Sequence, residues 1–146
     1  MRLRGYPAWF YKFLLAIFLA TAVTGLLLIP ASMEMRLEWE VPWRLQGDAQ
    51  IGTAALHALM SFLMMVVVGA LWSVHMRVGW RHRNNHRSGL LISGMMLLLL
   101  LSAVGIYYLA DDALALDASL IHMVIGASLP FFLLYHIIRG RRIYRH

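Results

Sequence analysis

Four of the seven histidines in this 146-residue sequence lie inside stretches of apolar residues. They are His57, His75, His122 and His136. An ionisable ring within a membrane segment is costly, and such residues usually mark a functional site. Imidazole nitrogen is a common metal ligand and a frequent axial ligand of haem iron. Four such rings predict two ligand pairs for two haems, and the chemistry that they would support is electron transfer across a membrane.

The spacing of these residues places each pair along one face of a helix. His57 and His75 stand at i and i+18, an interval of five full helical turns. His122 and His136 stand at i and i+14, which returns to within about 40° of the same face. At a rise of about 1.5 Å per residue, the two separations are about 27 Å and about 21 Å. Helix tilt, or a kink at Pro130, is expected to absorb the mismatch of about 6 Å.

The elements that carry these rings are predicted to be membrane-spanning helices. Hydrophobic residues make up 61% of the sequence, too many for a water-soluble domain of this length. About 20 apolar residues cross roughly 30 Å of hydrocarbon. Four stretches meet this requirement: residues 9–29, 51–75, 90–109 and 118–138. We therefore predict a single all-α domain over residues 1–146, a four-transmembrane-helix bundle with up-down-up-down topology.

Local signals predict where the helices begin and end. Pro30 is expected to end the first helix, while Ser88 and Asp117 are candidate N-caps of the third and fourth. The connections after the second and third spans are short, so consecutive helices are expected to be antiparallel neighbours. The second and fourth helices, which carry the histidines, would then run parallel to each other.

Charged residues are segregated between the connections. All seven acidic residues lie after the first and third spans, whereas eleven of the thirteen basic residues lie near the termini or in the middle loop. The positive-inside rule predicts that both termini and the middle loop lie in the cytoplasm and that the acidic connections lie on the opposite side. We expect that side to be a periplasm and the membrane to be a bacterial inner membrane. The basic run at residues 80–87 is interpreted as an orientation signal that contacts anionic lipid, not as a nucleic-acid site.

The absence of cysteine narrows the range of cofactors. It excludes disulfides, iron–sulfur clusters, thiolate–zinc sites and the covalent attachment of a c-type haem. A haem in this protein would therefore be bound non-covalently, as haem b is.

Matching depth predicts how the four rings pair. His57 and His122 lie at the acidic, outer end of their spans, and His75 and His136 lie at the basic, inner end. The predicted iron ligands are therefore His57 with His122 and His75 with His136. His75 lies close to the membrane surface, so one haem in place of two remains an alternative. Two loop histidines could replace His75 as the partner of His136: His82 and His86.

Small and basic residues near the pairs are candidates for contacts with a haem. Small residues leave room for a flat group, although plain helix packing explains them equally well. These are Gly69, Gly94, Gly105, Gly126 and Ser128. Arginines near the inner pair could bind haem propionates, or could be solvated or face lipid. These are Arg77, Arg81, Arg139 and Arg141.

Several segments resemble the membrane di-haem b-type cytochromes. They are Leu-His-Ala at 56–58, Ser-Val-His-Met-Arg at 73–77, Gly-Ile-Tyr-Tyr at 105–108, the run at 120–130 from Leu-Ile-His-Met to Ser-Leu-Pro, and Tyr-His-Ile-Ile at 135–138. The likeness is to the small four-helix bacterial kind and to the four-helix, haem-bearing part of quinol-oxidising cytochrome b. It implies ligand pairs on the second and fourth helices. That family has near-equal spacings on both helices, from which the longer interval between His57 and His75 departs.

The predicted function is transmembrane electron transfer by a b-type cytochrome subunit. The electron donor would be the quinone pool or another donor on the cytoplasmic side. If the donor is a quinone, the chain could itself bind it. The acceptor would be a c-type cytochrome or another periplasmic redox protein. No group-transfer motif is evident, so the chain is expected to be a non-catalytic subunit of a respiratory-chain oxidoreductase complex. The connection at 31–50 would lie on the membrane surface through Trp39 and Trp43, or form a docking face.

Two other functions fit the same histidines. The first is a haem-free structural or assembly subunit whose rings are hydrogen-bonded inside the bundle. The second is a small transporter or proton channel that uses the rings as a relay. This second function is weaker, because the spans contain no acid to pair with the histidines and no inverted repeat is evident.

Overall fold

The computed structural model describes residues 5–82 and 85–143, except for the side chains of His82 and Ile143. This part of the chain is helical, with short connections. Its elements are α1 (Phe10–Leu37), α2 (Gly47–Leu71), a π-helical segment (Trp72–Met76), α3 (Arg77–His82), α4 (His86–Tyr108) and α5 (Asp112–Ile143). Four basic residues that entered the orientation argument lie outside the described residues: Arg2, Arg4, Arg83 and Arg145.

Four helices in the described part are long and apolar enough to cross a membrane. α2, the π-helical segment and α3 join without a break, so the four candidate spans are Phe10–Leu37, Gly47–Arg81, His86–Tyr108 and Asp112–Arg142. The predicted all-α, four-span architecture is confirmed. Most of the large apolar side chains on these helices are exposed, as lipid-facing side chains must be.

The helices form two antiparallel hairpins. α1 packs against α2, and the Tyr6 hydroxyl just before α1 donates to the carbonyl of Ala70 near the end of α2. α4 packs against α5, with Gly105 near the end of α4 lying against Ala118 near the start of α5. α1 also contacts α5, which joins the hairpins. In the described residues, α2 and α5 do not pack closely against each other.

The prediction that Pro30 ends the first helix is wrong. Pro30 lies inside α1, which continues beyond it to Leu37. A proline removes one backbone hydrogen bond, but it does not stop a helix whose following turns are formed. α1 ends at Glu38, which has a left-handed φ of 55° and donates its N–H to the carbonyl of Glu34. The first connection is therefore shorter than predicted, and its Arg44 pairs with Glu34 in the last turn of α1.

Neither Ser88 nor Asp117 is a helix N-cap. α4 begins at His86 after Asn85, so Ser88 lies inside its first turn. α5 begins at Asp112, more than one turn earlier than Asp117 implied. The Asp111 carboxylate accepts the N–H of Leu114 at 2.9 Å, which is the hydrogen bond of an N-cap. Of the three aspartates in this part of the sequence, the first, Asp111, caps the helix.

Candidate functional site

The structure brings the four span histidines together in the two predicted pairs. The ring centroids of His57 and His122 are 6.4 Å apart, with an angle of 82° between the ring planes. Those of His75 and His136 are 6.3 Å apart, at 81°. Each pair joins α2, or the π-helical segment that follows it, to α5. The two pairs therefore share one geometry at opposite ends of the same two helices.

This separation suits a single iron between two imidazoles. An iron bound at about 2.0 Å by the Nε2 atoms of two opposed rings separates their centroids by about 6.3 Å. Edge-to-face ring contacts also fall within about 4.5–7 Å, so the distance alone does not select a ligand role. A ligand role also requires that one nitrogen of each ring makes no other bond and keeps its lone pair for the metal.

His57 is held by α1 through its Nδ1 atom. Nδ1 lies 3.1 Å from the carbonyl oxygen of Thr21 and 3.0 Å from Oγ1 of Thr24. The Thr24 hydroxyl donates its own proton to the carbonyl of Ala20 at 2.7 Å. Because a carbonyl oxygen can only accept, Nδ1 carries the ring proton. Nε2 of His57 therefore keeps its lone pair, the state that a metal ligand requires.

His122 is held by α4 in the same way. Its Nδ1 atom lies 3.2 Å from the carbonyl oxygen of Leu99 and 3.0 Å from Oγ of Ser102. As for His57, the two acceptors are a backbone carbonyl and a hydroxyl from the residue three positions later on the neighbouring helix, here Leu99 and Ser102 of α4. Both rings of this pair are therefore oriented by their own hairpin, and both leave Nε2 free for a ligand role.

His136 is held at the start of α4. Its Nδ1 lies 2.9 Å from Oγ of Ser88 and 3.2 Å from Nδ2 of Asn85, and the Ser88 hydroxyl donates to Oδ1 of Asn85 at 2.7 Å. Because an amide nitrogen donates, these contacts do not assign the ring proton of His136 to Nδ1 as the carbonyls do for His57 and His122. Asn85 Nδ2 also donates to the His136 carbonyl at 3.0 Å. Ser88, the predicted N-cap, instead orients a histidine.

His75 differs from the other three histidines. It is exposed while the others are half-buried, and it lies in the π-helical segment. Within residues 5–82 and 85–143, no hydrogen bond holds its ring. Of the loop histidines that could have replaced it, His86 lies against the ring of Trp80, and the side chain of His82 is outside the described part. The ring that faces His136 is that of His75.

The π-helical segment contributes to matching an i, i+18 spacing on one helix to an i, i+14 spacing on the other, taking up about one of the four extra residues. A π-helical turn contains more residues than an α-helical turn, so the chain advances and rotates less per residue. The segment Trp72–Met76 therefore brings His75 back towards the level and the face of His136. The sequence predicted tilt or a kink at Pro130 for this adjustment. Pro130 does lie inside α5, between His122 and His136.

The predicted small residues have different surroundings. A Cβ added at Gly69 or Gly94 would meet nothing within 4 Å, and one at Gly126 would make an ordinary contact with Leu99 at 3.7 Å. A Cβ at Gly105 would lie 2.9 Å from that of Ala118, so Gly105 serves helix packing. Ser128 donates its hydroxyl to the carbonyl of Ile125 in its own helix.

Two glycines that the sequence reasoning missed lie against histidine rings. A Cβ at Gly25 would be 2.9 Å from Cε1 of His57, and one at Gly89 would be 3.6 Å from Cε1 of His136. Each follows a residue whose hydroxyl lies beside Nδ1 of the same ring, Thr24 and Ser88. A hydroxyl residue followed by a small residue in an apolar span is the signal that could have found them.

The predicted arginines lie at the end of the His75–His136 pair. Arg77 and Arg139 follow the two histidines closely in sequence, and both are exposed, as are Arg81 and Arg141. Arg139 donates to the hydroxyl of Tyr135 at 3.1 Å. Among the described residues, no group of three or more His, Asp or Glu side chains is placed to hold a metal ion. A haem iron needs only two protein ligands, because the porphyrin supplies the other four.

Comparisons with known proteins found no match, whether with a protein family, a curated protein or a solved structure.

Proposed function

We propose that this protein is a b-type cytochrome subunit that transfers electrons across a membrane. It would hold one haem between His57 and His122 and a second between His75 and His136. Haem supplies a one-electron carrier when bound. The role of the chain is to place two such carriers at opposite ends of a bundle that spans the bilayer. The resemblance to the membrane di-haem b-type cytochromes supports the same proposal.

The proposal depends on the two ring pairs. Their centroid separations of 6.4 Å and 6.3 Å agree with each other and with the spacing of two imidazoles on one iron. Hydrogen bonds through Nδ1 hold three of the four rings. For His57 and His122 the accepting carbonyl puts the proton on Nδ1, which leaves Nε2 as the nitrogen available for a ligand bond. A chance ring contact would not require this arrangement at both ends of the same helices.

Helix packing also fits a flat group between the histidine helices. α2 packs on α1 and α5 packs on α4, whereas close packing of α2 on α5 is absent from the described part of the chain. The rings therefore meet across a gap between the hairpins. At the exposed end of this gap, the guanidinium groups of Arg77 and Arg139 would pair with haem propionates.

The distribution of charge supports an orientation and a class of partner. With the basic ends in the cytoplasm of a bacterium, the His57–His122 pair would lie near the periplasmic face. The acidic connections there would attract a c-type cytochrome or another basic periplasmic protein. A quinone or another donor would deliver electrons near the His75–His136 pair. The chain would work as one subunit of a larger respiratory complex.

Haem content and ligand assignment test this function. Purified protein should contain two haems b per chain by the pyridine haemochrome assay and show a reduced b-type α-band. His57→Ala or His122→Ala should remove one haem, and His136→Ala should remove the other. His86→Ala is the matched control and should keep both, because the His86 ring lies against Trp80. A protein without haem, or retention of two haems in all three span-histidine variants, would contradict the proposal.

A haem-free structural subunit is the second candidate. The bonds from Nδ1 to carbonyl and hydroxyl oxygens satisfy one nitrogen of His57, His122 and His136 without any iron. Such bonds between membrane helices contribute about 0.6 kcal/mol on average and at most about 1.7 kcal/mol. This candidate predicts that the alanine variants lower the unfolding temperature and leave the absorption spectrum unchanged. The haem assay therefore separates the two functions.

A further inference from the structure

Three of the four candidate ligands are held in place by a neighbouring helix, and the fourth is not. Nδ1 of His57 and Nδ1 of His122 each lie within hydrogen-bonding distance of a carbonyl and a hydroxyl. Nδ1 of His136 lies 2.9 Å from the Ser88 hydroxyl. The His75 ring has no such bond in the described part of the chain, and the residue is exposed. Outer-shell bonds of this kind orient a ligand and strengthen its hold on a metal.

The backbone under His75 is also the least regular part of the spans. A π-helical segment carries more residues per turn than an α-helix and is found mostly as single turns, frequently at functional sites. The carbonyl of Ala70, just before this segment, accepts the Ser73 hydroxyl at 3.1 Å and the Tyr6 hydroxyl at 2.8 Å. Side-chain donors thus occupy a carbonyl at the point where the regular pattern of the helix changes.

Tyr6 ties the start of the described chain to this segment. Its ring stacks on Phe10 with centroids 4.5 Å apart. Gly5 beside it has φ of +88°, and a Cβ there would lie 2.9 Å from the Val74 side chain.

We propose that His75 is an exchangeable ligand, so that the His75–His136 site binds small diatomic gases, and that Tyr6 limits the exchange by holding the π-helical segment. The inference rests on the proposed function. With a haem held between His75 and His136, Nε2 of His75 would give up its bond to ferrous iron and carbon monoxide would take that position. Each ligand would bring its own electron pair, so no electron would be transferred and no oxidant would be needed. His57 and His122, held by carbonyls, would stay bound.

Carbon monoxide added to the dithionite-reduced, full-length protein in detergent tests the inference. We expect the Soret spectrum to shift for one of the two haems only. Tyr6→Phe should bind carbon monoxide roughly fivefold faster, the effect of losing one neutral hydrogen bond, while its haem content stays at two. Tyr11→Phe, at a half-buried tyrosine in the first turn of α1, is the matched control and should behave as the unaltered protein.

The outcomes separate this inference from the proposed function. Protein without haem overturns both. Two haems per chain with no spectral shift, or with equal shifts of both haems, overturns the exchangeable role of His75 alone. His75→Ala then checks the site: it should bind carbon monoxide without the delay caused by ligand dissociation. An unchanged rate in Tyr6→Phe overturns the role assigned to Tyr6.

Discussion

Single hydrogen bonds determine which ring nitrogen of His57 and of His122 is free. A carbonyl oxygen only accepts, so Thr21 and Leu99 require a proton on Nδ1 of His57 and His122. The hydroxyls of Thr24 and Ser102 add a second acceptor in each case, since their own protons go to backbone carbonyls. The rings are therefore oriented with Nε2 unprotonated, as axial ligands of iron must be.

Gly25 is the residue whose replacement best tests the position of the His57 ring. In Gly25→Ala the new Cβ would lie 2.9 Å from Cε1 of His57, so the ring must shift. We expect the haem content to fall from two to one per chain, measured by the pyridine haemochrome assay.

Alanine is a better helix former than glycine by roughly 0.5–1 kcal/mol, so a weaker helix would not explain such a loss. Gly52→Ala, where the added Cβ meets nothing within 4 Å, is the control and should keep both haems. Two haems in Gly25→Ala would mean that the ring does not need its present position.

Elements bring these residues into register. In the α4–α5 hairpin, Ser102 meets His122 and Ser88 meets His136, so the hydroxyls repeat at the same interval as the histidines. In the other hairpin the interval between the histidines is longer by four residues, about one helical turn, of which the π-helical segment Trp72–Met76 takes up about one residue and helix tilt the rest. Two helices with unequal spacings can therefore present pairs of equal geometry.

The close approach of α4 and α5 depends on Gly105. Gly105→Ala would place its Cβ 2.9 Å from that of Ala118, and overpacking of this kind costs about 1–3 kcal/mol. We expect a lower temperature of helix unfolding in detergent, measured by circular dichroism.

A double variant that swaps the two residues is the control for the contact between Gly105 and Ala118. Gly105→Ala combined with Ala118→Gly keeps one methyl group at the contact, and should recover most of the lost stability. Losses that simply add in the double variant would show that the two residues do not share the contact.

The whole molecule consists of two hairpins joined through α1 and α5, with the histidines facing each other between α2 and α5. Its charges are arranged along the same axis. The acidic connections lie at the His57–His122 end, and the exposed Arg77, Arg81 and Arg139 lie at the other end. By the positive-inside rule, this polarity predicts that the molecule has one orientation in the membrane.

Labelling of single cysteines tests the orientation, because the protein contains no cysteine of its own. Gln46 and Ala110 are exposed in the two acidic connections, and Arg81 is exposed at the opposite end. By the positive-inside rule, we expect Gln46→Cys and Ala110→Cys to react with a membrane-impermeant maleimide on intact bacterial spheroplasts.

Arg81→Cys should react only after the membrane is permeabilised, and the cysteine-free protein is the control for background labelling. Reaction of Arg81→Cys alone in intact spheroplasts would reverse the orientation, and with it the side on which each partner binds.

The amino-acid sequence by itself determined the four apolar helices, the shared face of each histidine pair and the matching depth of the rings. These follow from local hydrophobicity and from helical periodicity, which need no knowledge of neighbours. Tertiary structure decided which groups touch the rings. A span that is apolar on every side carries little information about which face turns inward, so Thr24, Gly25 and Ser102 were not recognisable as neighbours of histidines. The π-helical turn at His75 was likewise not predicted, since no local signal distinguishes its residues from an ordinary helix.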